Sequence, residues 1–166
     1  ATEVAKLGGK GDWSTGVSVV DVNGDGLPDI YVCNVSGYLG LEGGNELFIQ
    51  QEDGTFQDSA AAYGLDFTGF ATQAYWFDYD NDGDLECYLL CHSVHNDATY
   101  GKAAFRQRPD VQAGDRLYEC TEKDGNIFYR QIDPQQSGIY ASKIGYGLSA
   151  AISDFDGNGA ADIYVC

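Results

Sequence analysis

Three short acidic segments carry the side chains in this sequence best suited to holding a ligand by direct bonds. The first contains Asp21, Asn23, Asp25 and Asp29, the second Asp78, Asp80, Asp82 and Glu86, and the third Asp154, Asp156, Asn158 and Asp162. Counted from the leading acid, each places side-chain oxygens at positions 1, 3, 5 and 9 and a glycine at position 6, namely Gly26, Gly83 and Gly159. An all-oxygen donor set suits a hard cation. Ca²⁺ takes about six to eight oxygens at roughly 2.3–2.6 Å, whereas Mg²⁺ demands a stricter octahedron, so calcium is the expected ion, about three in all. Glycine at position 6 permits the positive φ that closes the loop, and position 7, which is Leu27, Asp84 and Ala160, offers its carbonyl.

The opening six residues match an EF-hand loop, but that motif needs a bidentate glutamate at position 12 and a helix on each side. Position 12 here is Val32, Leu89 and Val165. The last acid falls at position 9 and leads straight into an apolar, β-rich run such as Ile30, Tyr31 and Val32, so each loop is expected to join two strands. One such segment alone reads as a solvated Asp/Asn/Gly turn. Three with the same acid positions argue for a cation.

The elements around the loops repeat as well. Strands are expected at 14–20 and 30–35 on either side of loop one, then a Gly-rich connection at 36–44, a strand at 45–50, a turn at Glu52, Asp53 and Gly54, and a fourth strand from residue 55. The order recurs as strands at 70–77, 85–90, 116–119 and 127–131, with a turn at 123–125. A third unit opens at 145–153 and stops after its second strand. The chain is therefore one all-β unit with repeats at 11–66 and 67–140 and a partial repeat at 141–166. Loop starts lie 57 and 76 residues apart, and the longer spacing reflects an insertion near residues 92–113. Four antiparallel strands per unit, repeated, is the pattern of β-propeller blades, of which about two and a half are present.

The run from Gly16 to Val32, the segment Asn45, Glu46, Leu47 and Phe48, and the segment from Asp53 to Asp58 resemble the FG-GAP/VCBS repeats, and the resemblance covers nearly the whole chain. Those repeats build the calcium-binding propeller of integrin α subunits and of many secreted proteins. The resemblance implies one Ca²⁺ for Asp21, Asn23, Asp25 and Asp29, a second for Asp78, Asp80, Asp82 and Glu86, and a third for Asp154, Asp156, Asn158 and Asp162. Glu86 departs from the usual aspartate and Asn158 lowers the charge of its site, so affinity is expected to fall in the order second, first, third. Propellers close with roughly four to eight blades. Two and a half are expected to belong to a longer chain or to a protomer whose open edges neighbours cover, with further copies or a protein or glycan ligand as partners.

Net charge is −17, from 26 acids and nine bases. Phosphate backbones and anionic membranes repel such a surface, so nucleic acid is not an expected partner, and no apolar run reaches the roughly 18 residues that membrane insertion needs. Eleven of the 26 acids lie in the three loops. Without metal they should repel one another and loosen the fold. Millimolar extracellular calcium suits such loops, and the expected setting is extracellular, secreted or cell-surface.

Five cysteines, Cys33, Cys87, Cys91, Cys120 and Cys166, leave at least one thiol unpaired within this stretch. Cys33 and Cys166 occupy the same repeat position, where a small buried side chain is expected, and a link from Cys87 or Cys91 to Cys120 stays open. Cys87, Cys91, His92 and His95 fit known zinc spacings poorly. Asn34, Val35 and Ser36 form an N-glycosylation sequon just past a strand end, where exposure is expected. The insertion at 96–109 holds three bases in an acidic protein and is either a solvated or a contact loop. Trp13 and Trp76 are expected to pack between blades. No nucleophile and base pair stands out, so no enzymatic role is expected of this segment.

Overall fold

The computed structural model describes residues 5–94, 109–138 and 145–166. The inserted segment at 96–109, read as either a solvated or a contact loop, falls almost wholly outside them, as does His95. Ten strands form three antiparallel sheets. The first is β1 (Ser14–Val20), β2 (Asp29–Asn34), β3 (Glu46–Gln50) and β4 (Phe56–Asp58), side by side in chain order. The second repeats that order with β5 (Ala71–Phe77), β6 (Glu86–Cys91), β7 (Arg116–Lys123) and β8 (Asn126–Gln131). The third is a hairpin of β9 (Ala150–Ser153) and β10 (Asp162–Val165). Two four-stranded blades and the start of a third are the expected all-β, propeller-like arrangement.

Small residues let the blades dock closely. Both inner strands carry a bulge at the same place, at Thr15 in β1 and Thr72 in β5. Thr15 Oγ1 donates to the Ala71 carbonyl at 2.7 Å, and Ser18 Oγ to the Ala74 carbonyl at 2.7 Å. A Cβ on Gly16 would stand 2.3 Å from the Thr72 carbonyl oxygen, so this approach of β1 to β5 requires glycine. An isolated bridge joins Val35 to Phe70, and another joins His92 to Tyr146 at the equivalent place one unit on. Ser36 N–H donates to Gly69 O at 2.9 Å and Ser93 N–H to Gly145 O at 3.0 Å. Each unit thus meets the next by the same backbone contacts.

Side-chain alternation along these strands sends one face of each blade toward its neighbour. Tyr31, Cys33, Leu47 and Ile49 of the first blade meet Ala74, Cys87, Leu89 and Cys91 of the second, all buried. Trp76 sits between Tyr31 and Tyr129, each ring pair edge to face at 5.6 Å. Such pairs contribute about 0.5–1.5 kcal/mol beyond area burial. Trp76 packs as expected, while Trp13 is 56 % exposed. A smaller cluster of Tyr88, Leu90 and Leu117, with Ala150 and Ile163 against it, joins the second blade to the hairpin.

All five thiols are free, so no link joins Cys87 or Cys91 to Cys120. Cys87 and Cys91 are buried against the first blade, and Cys120 pairs with Tyr129 across β7 and β8. Cys33 is buried as expected, but Cys166 is exposed, because no described strand lies over the outer face of β10. Two one-turn helices were not legible from periodicity. The first, α1 (Ala60–Tyr63), ends at Gly64 with φ 72°. The second, α2 (Pro134–Ser137), begins at Asp133, whose carboxylate accepts from Gln135 N–H, with proline in the first turn.

Candidate metal centres

Each acidic loop connects the first two strands of its unit and follows one hydrogen-bond scheme. The carboxylate at position 1 accepts from the amides of positions 5 and 6. Asp21 takes Asp25 and Gly26 N–H at 3.1 and 2.8 Å, Asp78 takes Asp82 and Gly83 N–H at 3.2 and 3.1 Å, and Asp154 takes Asn158 and Gly159 N–H at 3.0 and 2.9 Å. Position 5 accepts from the amide of position 7: Asp25 from Leu27, Asp82 from Asp84 and Asn158 from Ala160. Position 6 is left-handed in all three loops, as expected. Position 4 is too, with Gly24 at φ 71°, Asn81 at 63° and Gly157 at 75°. Glycine or asparagine at position 4 was the overlooked signal, since both tolerate this region.

Position 9 acts as a clamp at the base of the loop. Asp29 accepts from Val22 N–H at 3.0 Å, Glu86 from Tyr79 N–H at 3.0 Å, and Asp162 from Phe155 N–H at 2.9 Å. In the two complete blades the same carboxylate also reaches the third strand. Asp29 takes Gln50 N–H at 2.9 Å, and Glu86 takes a backbone hydrogen bond from Cys120. Asp29 and Glu86 are buried at 0 % and 1 % exposure, so their local sequence spacing conceals a second role as core polar groups.

Of the expected ligands, positions 1, 3 and 9 converge. Asp78, Asp80 and Glu86 bring carboxylate oxygens within 4.8 Å of one another, and so do Asp154, Asp156 and Asp162. In loop one these positions are Asp21, Asn23 and Asp29, two carboxylates and an amide, and no three-acid group forms there. Position 5 falls outside both groups and accepts from the position 7 amide. The ion pairs among the described residues, Lys10 with Asp58 and Arg130 with Glu119, involve none of these acids. Gathered oxygen donors without a cationic partner fit a divalent cation, and Asp78, Asp80 and Glu86, with Asp154, Asp156 and Asp162, could hold one at each site.

The electrostatics of the sites differ. Burial, reinforced by Asp80 and Asp82, pushes the Glu86 carboxyl up to about 7, and burial also raises Asp29. Asp154 lies on the surface, where the Gly159 amide and its neighbours hold it below the usual carboxylate range.

Other expected site residues are placed differently. Asn34 is fully buried at the end of β2 and not in an exposed loop. Its Nδ2 donates to Gly44 O at 2.7 Å and Glu46 Oε2 at 3.1 Å, while Oδ1 accepts from Ser14 Oγ at 2.8 Å. A glycan on that nitrogen is incompatible with this packing. Cys87 and Cys91 lie in the interblade core and His92 stacks edgewise on Tyr146 at 5.3 Å, so among the described residues no metal group forms around them.

Residues 35–89 match the family model of the FG-GAP-like repeat. The match starts where β2 ends, takes in β3, β4, β5 and all of loop two, and stops within β6. No curated protein matches the chain.

Proposed function

From the FG-GAP-like repeat at residues 35–89, we propose that this chain is a calcium-binding β-propeller module of the extracellular space. Its work there is adhesion, recognition or surface assembly, and the calcium is structural, not catalytic. The observation that carries this reading is the convergence of Asp78, Asp80 and Glu86, and of Asp154, Asp156 and Asp162, with no cationic side chain among the described residues paired to either. The donors are oxygen only, which favours a hard cation over zinc or copper. A bound Ca²⁺ supplies charge neutralisation at the point where the first two strands of a unit separate. The position 9 carboxylate already ties that point to the loop amide at position 2, so metal there would brace loop and sheet together. Isothermal titration with CaCl₂ tests the reading: two or more ions per chain support it, and no heat above dilution contradicts it.

A second reading, self-assembly into a fibre or sheath, is favoured by the two ends of the arc. Val17 and Val19 on the outer face of β1 are 56 % and 67 % exposed, and Tyr164 on β10 is 65 % exposed. Their repeat equivalents, Ala74, Trp76 and Tyr88, are packed between blades. Sedimentation at increasing protein concentration separates the readings: growth beyond the monomer favours assembly, and a constant monomer favours a ligand-binding module.

A further inference from the structure

Asparagine is followed directly by glycine at two places, Asn23-Gly24 in loop one and Asn158-Gly159 in loop three. Asparagine is among the chemically least durable side chains, and a following residue without a Cβ lets its backbone nitrogen approach the carboxamide carbon. The fold treats the two pairs differently. Gly159 N–H donates to Asp154 at 2.9 Å, and the Asn158 amide before it is shared between Asp154 and Asp156. Gly24 N–H has no hydrogen-bond partner among the described residues. Gly157, which matches Gly24 by position in loop three, donates to Asp154 at 2.7 Å.

Two further features of loop one favour attack by the Gly24 nitrogen. Gly24 is exposed, and a Cβ built on it would meet nothing within 4 Å, so water reaches the amide and can take its proton. Asn23 Oδ1 accepts from Asp25 N–H at 3.1 Å, a donor already in place for the negative charge that grows on that oxygen as Cγ becomes tetrahedral. The opposing restraint is weak. Asn23 Nδ2 donates to Asp25 Oδ2 at 2.9 Å, but Asp25 lies on the exposed tip, where water competes for the same bond.

We propose that Asn23 is a site of spontaneous deamidation. Gly24 N gives its proton to water and bonds to Asn23 Cγ, the Cγ–Nδ2 bond breaks, and ammonia leaves with a proton returned from water. The product is a cyclic imide, which water then opens. Breaking the bond between Cγ and the Gly24 nitrogen restores the backbone and gives aspartate, while breaking the other imide bond gives isoaspartate, with one carbon more in the backbone. The net change consumes water and releases ammonium, with no oxidant or cofactor. Position 3 is where loops two and three carry Asp80 and Asp156, which converge with positions 1 and 9. The aspartyl product therefore gives loop one the three-acid set it lacks, whereas the isoaspartyl product moves Asp25 and Asp29 out of step with Asp21. Loop one thus ages into one form that binds calcium more tightly and one that binds it less. That consequence rests on the metal reading above; the deamidation itself does not.

The test is incubation of the folded protein in warm, mildly alkaline buffer with excess EGTA, followed by peptide mapping with mass spectrometry at intervals. Asn23 is expected to convert several-fold faster than Asn158. In guanidinium chloride, where neither amide is held, the two should convert at similar rates. No conversion at Asn23, conversion of Asn158 as fast or faster in the folded protein, or the same preference in guanidinium chloride would overturn the proposal. Calcium should slow conversion at Asn23 by engaging its side chain. A rate that calcium leaves unchanged, with the preference over Asn158 intact, would sink the reading of a cation in loop one alone. Asn23→Asp supplies the aspartyl product without the isoaspartyl one, and in titration calorimetry loop one of this variant should take calcium about tenfold more tightly. An affinity no higher than that of the fresh protein would overturn the link from modification to metal binding.

Discussion

Loops two and three both gather carboxylates at positions 1, 3 and 9, but one carboxylate in each is shifted in the opposite direction: Glu86 at position 9 upward and Asp154 at position 1 downward. In loop two the position 9 acid, Glu86, is buried between loop, β6 and β7, and burial lifts its carboxyl to about 7. In loop three Asp154 and Asp156 lie at the surface and Asp162 is only half-buried, and backbone amides hold Asp154 below the ordinary carboxylate range. The difference teaches that a repeated spacing specifies which oxygens converge, while the neighbouring strands decide whether charging them costs stability. A buried carboxylate cluster needs its counter-ion, whereas an exposed one is relieved by water.

The largest effect is expected from Glu86→Ala. It leaves the Tyr79 and Cys120 amides without their buried acceptor and should cost about 2–4 kcal/mol in urea denaturation in the presence of calcium. Asp162→Ala, at the matching position of loop three, should cost about 1 kcal/mol or less. Equal losses would erase the distinction between the two loops. Tyrosine positions sharpen it next. Tyr31 Oη donates to Leu65 O and accepts from Asn45 Nδ2, so Tyr31→Phe should cost roughly 1–2 kcal/mol, while the equivalent Tyr164→Phe should change stability by less than about 0.5 kcal/mol.

Stability against pH gives a third contrast of smaller size. A carboxyl raised in the folded state binds its proton more tightly there than when unfolded. In excess EGTA, Glu86 therefore favours folding at acid pH, and that contribution is lost as pH rises from about 4.5 to about 7. Asp154 has the opposite sign, contributing stability that is lost on acidification below about 4. Melting temperatures of the metal-free protein should thus rise on acidification from pH 7 to 5, and Glu86→Gln should flatten that slope. A slope unchanged in the variant would contradict the assignment. The smallest effect is expected from Asn158→Asp, which adds a carboxylate to loop three and should tighten calcium there by a few-fold at most, read by titration calorimetry.

Much of this was legible before any coordinates, because the signals were local. Alternating apolar residues around each acid and glycine turn placed β1, β2, β5 and β6 within a residue or so, and the repeat order placed the sheets. Position 9 was visible as an acid but not as a clamp, since Gln50 and Cys120, which meet Asp29 and Glu86, lie 21 and 34 residues away in sequence. Asn34 misled for a similar reason. A sequon says nothing about the Gly44 and Glu46 acceptors that β3 brings over the amide nitrogen. The helices α1 and α2 are single turns, too short for any period, and only Gly64, Gly138 and the Asp133-Pro134 pair mark their ends. Cys166 shows the limit of repeat logic, because equivalence to Cys33 predicts burial only where a neighbouring face exists.

The central claim is that cations brace the acidic loops, and the most direct measurement is the melting temperature in millimolar calcium against excess EGTA. Two or three occupied sites, each stabilising by a few kcal/mol at saturating calcium, predict a fall of roughly 10 °C or more on chelation, with recovery on adding calcium back. The same melting temperature in calcium and in EGTA would contradict the account.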